Sequence, residues 1–180
     1  MNSKIKADLF RYTGKTGTFW QGMKIPGFRY MYFFRKTSAS SKYSPAGIFY
    51  RIMLKRYMYK FGFQIPAGTK IGEGFYIGHF GTIVIRSKAI IGKNCNIAHG
   101  VTIGQANRGK LKGYPTIGDE VWMGTGAVIV GNINIGSDVL IAPNAYVNFD
   151  VPDHSIVLGN PAKIIERENA TDGYINNIFR

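Results

Sequence analysis

From residue 63 onward the chain sets an aliphatic side chain at every sixth position. Ile65, Ile71, Ile77 and Ile83 form a first series, Ile85, Ile91, Ile97 and Ile103 a second, and Ile117, Met123, Ile129, Ile135, Ile141 and Val147 a third. Four residues after many of these comes a small or β-branched residue: Thr69, Gly81, Ala89, Cys95, Val101, Val121, Ala127, Val139, Ala145. A period of six matches neither the 3.6 of a helix nor the alternation of an ordinary strand. It is the mark of a solenoid in which each hexapeptide is one short strand and three of them make a triangular turn. The sequence therefore predicts an all-β domain, a left-handed parallel β-helix, over residues 63–168, with Cys95 as packing. Gly72, Gly92, Asn94, Gly118 and Gly136 supply the bends at its corners. Two interruptions stand out: the register slips by two between Ile83 and Ile85, and the insertion GQANRGKLKGYPT (104–116) is expected to leave the prism as an exposed loop.

The remainder of the chain has another character. A net charge of +13 suggests nucleic acid until it is divided: residues 1–62 carry 13 Lys and Arg against one acid, Asp8, and 15 of the 25 aromatic residues. Beyond them, ten bases face nine acids. No nucleic-acid-binding module accompanies the charge, so no nucleic-acid partner is expected. Residues 1–62 read as a mainly helical, basic and aromatic segment, with helices over 27–40 and 44–62, the second begun by Ser44 and Pro45 and stopped by Gly62. Residues 169–180 read as a C-terminal tail. The single cysteine excludes an intramolecular disulfide, and neither a signal peptide nor a membrane-spanning run is legible. The expected location is cytoplasmic, with the basic front suited to an anionic membrane surface and so to a peripheral position at its inner face.

Two histidines fall on the repeat in the same way. His79 is the third residue of Ile77-Gly-His and His99 the third of Ile97-Ala-His, so both belong on one face, one coil apart, a separation of roughly 4.8 Å. They are either polar residues on a flat exposed face or a catalytic pair. Without a nearby Cys, Asp or Glu they make a poor ligand set, and no metal is expected. His154, in a turn, is assigned no role.

The hexapeptides, the GHFGTIVI and HGVTIG segments, the external loop ending in proline and the closing VPDHSIVLGNPAKII resemble the hexapeptide-repeat acyltransferases of the serine acetyltransferase type over about residues 63–168. Within that group the chain looks closest to small O-acetyltransferases of bacterial capsule and surface polysaccharide synthesis. The resemblance implies acetyl-CoA as acyl donor, a homotrimer with the donor between subunits, and His79 as general base assisted by His99. It implies backbone N–H groups at Gly104 and Gln105 for the oxyanion, Thr125, Ala142 and Pro143 along the pantetheine channel, and Lys163 at the nucleotide phosphates. The chain also departs from the family. Gln64 stands where an aspartate pairs with the histidine, Gly78 replaces a second aspartate, and Gly113-Tyr114 replaces an Arg-His pair. The groups that would grip the ammonium and carboxylate of serine are thus missing. The expected acceptor is therefore a sugar, glycan or lipid-linked glycan bound by Gln64, Asn107, Tyr114 and His99, in surface polysaccharide synthesis. The alternatives are a serine O-acetyltransferase of cysteine biosynthesis and a non-catalytic membrane-associated scaffold.

Overall fold

The computed structural model describes residues 2–180. From Phe63 the chain winds as a parallel β-helix. Its strands, in chain order, are β1 (Phe63–Gln64), β2 (Lys70–Ile71) and β3 (Tyr76–Ile77) in the first coil, then β4 (Ile83–Ile85), β5 (Ile90–Ile91) and β6 (Asn96–Ile97). There follow β7 (Thr102–Gly104), β8 (Thr116–Ile117) and β9 (Trp122–Met123), β10 (Val128–Val130), β11 (Asn134–Ile135) and β12 (Val139–Ile141), and finally β13 (Tyr146–Val147), β14 (Ser155–Leu158) and β15 (Lys163–Glu166). They form three sheets, the faces of a prism: β1-β4-β7-β10-β13, β2-β5-β8-β11, and β3-β6-β9-β12-β14 with β15 added antiparallel at its end.

The six-residue period becomes three buried columns. Ile85, Ile103, Ile129 and Val147 stack on the first face, Ile71, Ile91, Ile117 and Ile135 on the second, and Ile77, Ile97, Met123, Ile141 and Val157 on the third. All are buried, and each contributes about 1.5–3 kcal/mol relative to exposure. The slip between Ile83 and Ile85 has a local cause. β4 buries both of its ends, Ile83 against Phe63 and Ile85 against Ile103, so the corner after β3 is two residues longer than the one after β6. The extra length leaves Phe80 69 % exposed beside His79. At the corner between the second and third faces, Asn94, Glu120, Asp138 and His154 take up left-handed backbone angles in successive coils, as Gly74 does below them. That recurrence explains the turn-forming residues there.

Four helices, α1 (Ser3–Thr13), α2 (Phe19–Lys24), α3 (Pro26–Ala39) and α4 (Pro45–Phe61), precede the coils. Ser44 caps α4 by accepting from Gly47 N, and Gly62 ends it in the left-handed conformation. Tyr30, Met31, Phe33 and Phe34 of α3, with Leu54 and Phe61 of α4, belong to the same core as Ile65, Ile71 and Ile77. The helices therefore close one end of the prism and share its interior. What fastens them is the single acid of this segment. Asp8 of α1, buried, pairs with buried Arg35 of α3 at 2.8 Å and accepts from Phe75 N at 3.0 Å. Arg35 also donates to the carbonyls of Ile71 and Gly72. On the outer side of α4, Ile48, Phe49, Ile52 and Tyr59 stay exposed among Lys55, Arg56 and Lys60. No helix among the described residues is long and apolar enough to cross a membrane.

The C-terminal tail does not hang free. Ala170 N and Thr171 N donate to Asp138 at 3.0 and 2.9 Å, Asn96 Nδ2 donates to the Tyr174 carbonyl at 3.1 Å, and Phe179 N donates to Asn94 Oδ1 at 3.3 Å. It thus runs back along the third face from the late coils to the second, and Phe179 meets Phe10 of α1 edge to face. His154, which the sequence leaves without a role, bonds through Nδ1 to Asp138 at 2.9 Å.

Two outcomes follow from these contacts. Asp8→Ala leaves Arg35 buried without its partner and should cost about 3–5 kcal/mol in chemical denaturation, a loss that Arg35→Met in the same chain should partly restore. The tail should be held most firmly in mildly acidic solution. Burial raises the Asp138 carboxyl, but hydrogen bonds from His154, Thr171 and Ala170 outweigh it and hold the group below its ordinary 3.8. The hydrogen bond to Asp138 lifts His154 above 6.5. The stabilisation from Asp138 is complete above 3.8 and disappears as pH falls through its lowered value, while that from His154 is complete below 6.5 and disappears as pH rises through its raised value. Fluorescence of Trp122, which packs on Tyr174 of the tail at 4.8 Å, should report loosening at both extremes, and His154→Asn should abolish the alkaline change.

Candidate active site

Residues at one position in the repeat make a continuous edge. The second residue after Ile77 is His79, after Ile97 it is His99, after Met123 Thr125, and after Ile141 Pro143. Because those four inward residues are stacked, these four lie one above another where the third face turns into the first. Main-chain bonds tie the edge together: Gly126 N donates to the His99 carbonyl at 3.1 Å and Asn144 N to the Thr125 carbonyl at 2.9 Å. The two imidazoles are exposed, with centroids 5.8 Å apart and planes at 84°. Gly81 lets the corner after β3 pass close to His99, since a Cβ there would sit 3.2 Å from His99 Cβ on a backbone with φ of +138°.

The remaining donor-site candidates extend from this edge. Ala142 precedes Pro143 and donates its N–H to the Val157 carbonyl at 2.8 Å, so its own amide is occupied. Lys163 is exposed at the start of β15, opposite Leu158, on the turn beyond the last coil. Gly104 and Gln105 lie at the other end of the first face from the histidines. Gly104 is buried in the ladder opposite Val130, and Gln105 is the first residue to leave it.

The acceptor candidates divide between two cavities. Gln64, Gln105 and Tyr114 line a groove of about 600 Å³ on the first face, closed on one side by Met58 and Tyr59 of α4. Asn107 is exposed and accepts a hydrogen bond from Gln105 Nε2, and Tyr114 lies under the Lys88 ammonium at 5.5 Å. His79 instead opens onto a cavity of about 380 Å³ on the third face, formed with Arg11 and Tyr12 of α1, Tyr76, Asn96, Trp122 and the tail residues Tyr174, Asn176 and Asn177. His99 stands on the edge between the two and lines neither. The inserted loop is only partly free. Ala106 and Gly113 exchange N–H···O bonds of 3.1 Å across its base, and Asn132 N donates to the Leu111 carbonyl at 2.9 Å, which leaves residues 107–110 as the exposed tip.

Arg11, Tyr12, Asn96 and the tail were not legible as site residues. One arginine among thirteen cations carries no mark in the sequence, and the tail reaches His79 only because it folds back. Among the described residues no group of three or more metal-ligating side chains gathers.

No family model matches the sequence. The chain is 41% identical over 105 residues to serine acetyltransferase 2 of Arabidopsis thaliana, a match that covers 58% of this chain and 32% of the plant protein. The chain thus spans about a third of that relative. Among solved structures it is similar to the soybean serine acetyltransferase apoenzyme, with a TM-score of 0.74 and 30% identity over 91% of this chain and 68% of the other. A serine acetyltransferase from Brucella abortus in complex with coenzyme A gives a TM-score of 0.73 and 27% identity over 92% of this chain and 66% of the other.

Proposed function

The chain belongs to the serine acetyltransferase family of hexapeptide-repeat acyltransferases, and from that premise we propose that it transfers an acetyl group from acetyl-CoA to an acceptor hydroxyl, with His79 as general base. The observation that carries this reading is the edge that aligns His79, His99, Thr125 and Pro143. Four coil steps of roughly 4.8 Å take it about 19 Å from the level of His79 to the turn before Lys163, a length suited to an extended donor with a phosphate end. The Brucella relative binds coenzyme A. On this chain Thr125, Ala142 and Pro143 would flank the pantetheine arm, and Lys163 would meet the phosphates.

In the reaction the imidazole of His79 takes the proton of the acceptor hydroxyl as its oxygen attacks the thioester carbonyl. The tetrahedral intermediate holds a negative oxygen that needs N–H donors. The amides of Gly104 and Gln105, expected to supply them, lie at the far end of the first face from His79, so within one chain they do not reach the carbonyl that His79 serves. Collapse breaks the C–S bond, and the proton passes from His79 to the departing thiolate. His99, its ring centroid 5.8 Å from that of His79, stands beside the base on the same edge.

The relatives named above are serine acetyltransferases, so serine is the first acceptor to consider, and the expected kinship with surface-polysaccharide enzymes finds no support among them. A second reading, a sugar hydroxyl, is favoured by one observation: no Asp or Glu lines the cavity onto which His79 opens to meet the ammonium of serine, while Gln64 and Tyr114 line the separate groove on the first face. A trimer of such prisms would set the histidine edge of one copy near the face of the next and so line both sides of the donor groove. The scaffold reading has no comparable support.

His79→Ala should lower acetyl transfer by roughly 10²–10⁴-fold with CoA affinity nearly unchanged, and His99→Ala should cost less. Mass spectrometry of products from acetyl-CoA with serine and with sugars would name the acceptor. A His79→Ala protein that retains full turnover would sink the assignment of the base. Sedimentation equilibrium should give three times the 20.0 kDa chain mass, and an active monomer would remove the intersubunit groove from the reading.

A further inference from the structure

The cavity beside His79 contains a charge that the scheme above does not use. Arg11, in the last turn of α1, is 3 % exposed. Its Nη atoms donate to the Asn94 carbonyl at 3.4 Å and to Asn96 Oδ1, while its Nε is buried with no partner. Arg35, equally deep, has Asp8. Among the described residues no carboxylate lies within ion-pair distance of Arg11, the ion-paired acids being engaged with Arg35, Lys93 and His154. Burial pushes the pKa of its guanidinium below the ordinary arginine range. The Asn94 and Asn96 oxygens and the Tyr76 ring, 6.0 Å from the guanidinium carbon, offer it partial negative charge, and the Glu120 carboxylate acts on it only from a distance. A buried guanidinium that lines an open cavity and lacks a counter-ion is suited to receive one from outside.

The rest of the cavity describes what would bring that counter-ion. Tyr12 and Tyr76 pack with ring centroids 4.4 Å apart and planes tilted by 31°, and Trp122 packs on Tyr174 at 4.8 Å, so its walls are aromatic. Asn176 and Asn177 add neutral hydrogen-bonding groups, and no Asp or Glu lines it. An ammonium would find no carboxylate here and would meet the Arg11 cation, whereas an oxyanion would be paired by it. We propose that this cavity is the acceptor subsite, and that it takes a hydroxylated small molecule bearing an oxyanion, carboxylate or phosphate, which pairs with Arg11 and turns a hydroxyl toward His79. The role of the hydroxyl rests on the acetyl-transfer reading; the binding of the anion does not. Serine carries the carboxylate but also an ammonium for which the cavity has no carboxylate, so an acidic or phosphorylated sugar fits better than either serine or a neutral sugar.

Trp122 lines the cavity, and the other tryptophan, Trp20, is 75 % exposed, so Trp20→Phe leaves a single reporter at the site. In that background, fluorescence titrations without CoA would compare glucuronate, glucose 1-phosphate, glucose and serine. One of the two anions should bind at least tenfold more tightly than glucose and serine, and which one does so separates a carboxylate from a phosphate acceptor. Arg11→Gln should erase the preference and Arg11→Lys should keep part of it, with CoA affinity, measured separately, unchanged in both. Equal binding of all four ligands, no binding of any, or a preference that survives Arg11→Gln overturns the proposal. If Arg11→Gln fails to fold, the wild-type comparison and Arg11→Lys still decide. Failure of CoA binding with the anion preference intact would count against acetyl transfer alone.

Discussion

Parallel stacking of one coil on the next fixes an inward aliphatic side chain above its equivalent, and with it every residue at a constant offset from that side chain. A hydrogen-bonded ladder on three faces holds the coils at one spacing, so a position in the repeat is also a position in space. His79, His99, Thr125 and Pro143 need no long-range contacts of their own to form an edge. They inherit it from Ile77, Ile97, Met123 and Ile141. The same logic brings Asp138 under His154, since both occupy the left-handed corner position of adjacent coils.

The helices obey a different constraint. A basic segment with one acid must either leave its cations in water or find neutral oxygen for them. Asp8 resolves this for Arg35, where the carbonyls of Ile71 and Gly72 complete the guanidinium's partners and fasten α1 and α3 to the first coil. Arg11 receives carbonyl and amide oxygen and the face of Tyr76 but no carboxylate in contact, and that difference separates a structural arginine from one available to a ligand.

The β-helix, the helix over 44–62 and the alignment of the two histidines were legible because each depends on local rules: a hexapeptide period, a serine-proline start with a glycine stop, and a constant offset from an isoleucine. The cavity beside His79 was not. Its walls come from α1, the third face and the tail, and the contact between Asn96 and Tyr174 joins residues 78 positions apart with no pattern to announce it. Nor did the sequence separate the groove of Gln64 and Tyr114 from the side of the edge that His79 faces, since hexapeptide register gives the height of a residue along the prism more surely than the cavity its side chain enters.

A repeating prism carries a hazard that the longer corner after β3 removes. In a uniform solenoid each isoleucine could exchange its neighbour for an equivalent one, and a coil could dock one level too high with little loss of buried surface. The two additional residues that expose Phe80, together with the loop between β7 and β8, make the first three coils unequal in length. A misaligned coil would then have to strand those residues against a ladder with no room for them. The corner bearing His79 thus also marks the start of the count, giving a chain of near-identical parts only one way to number itself.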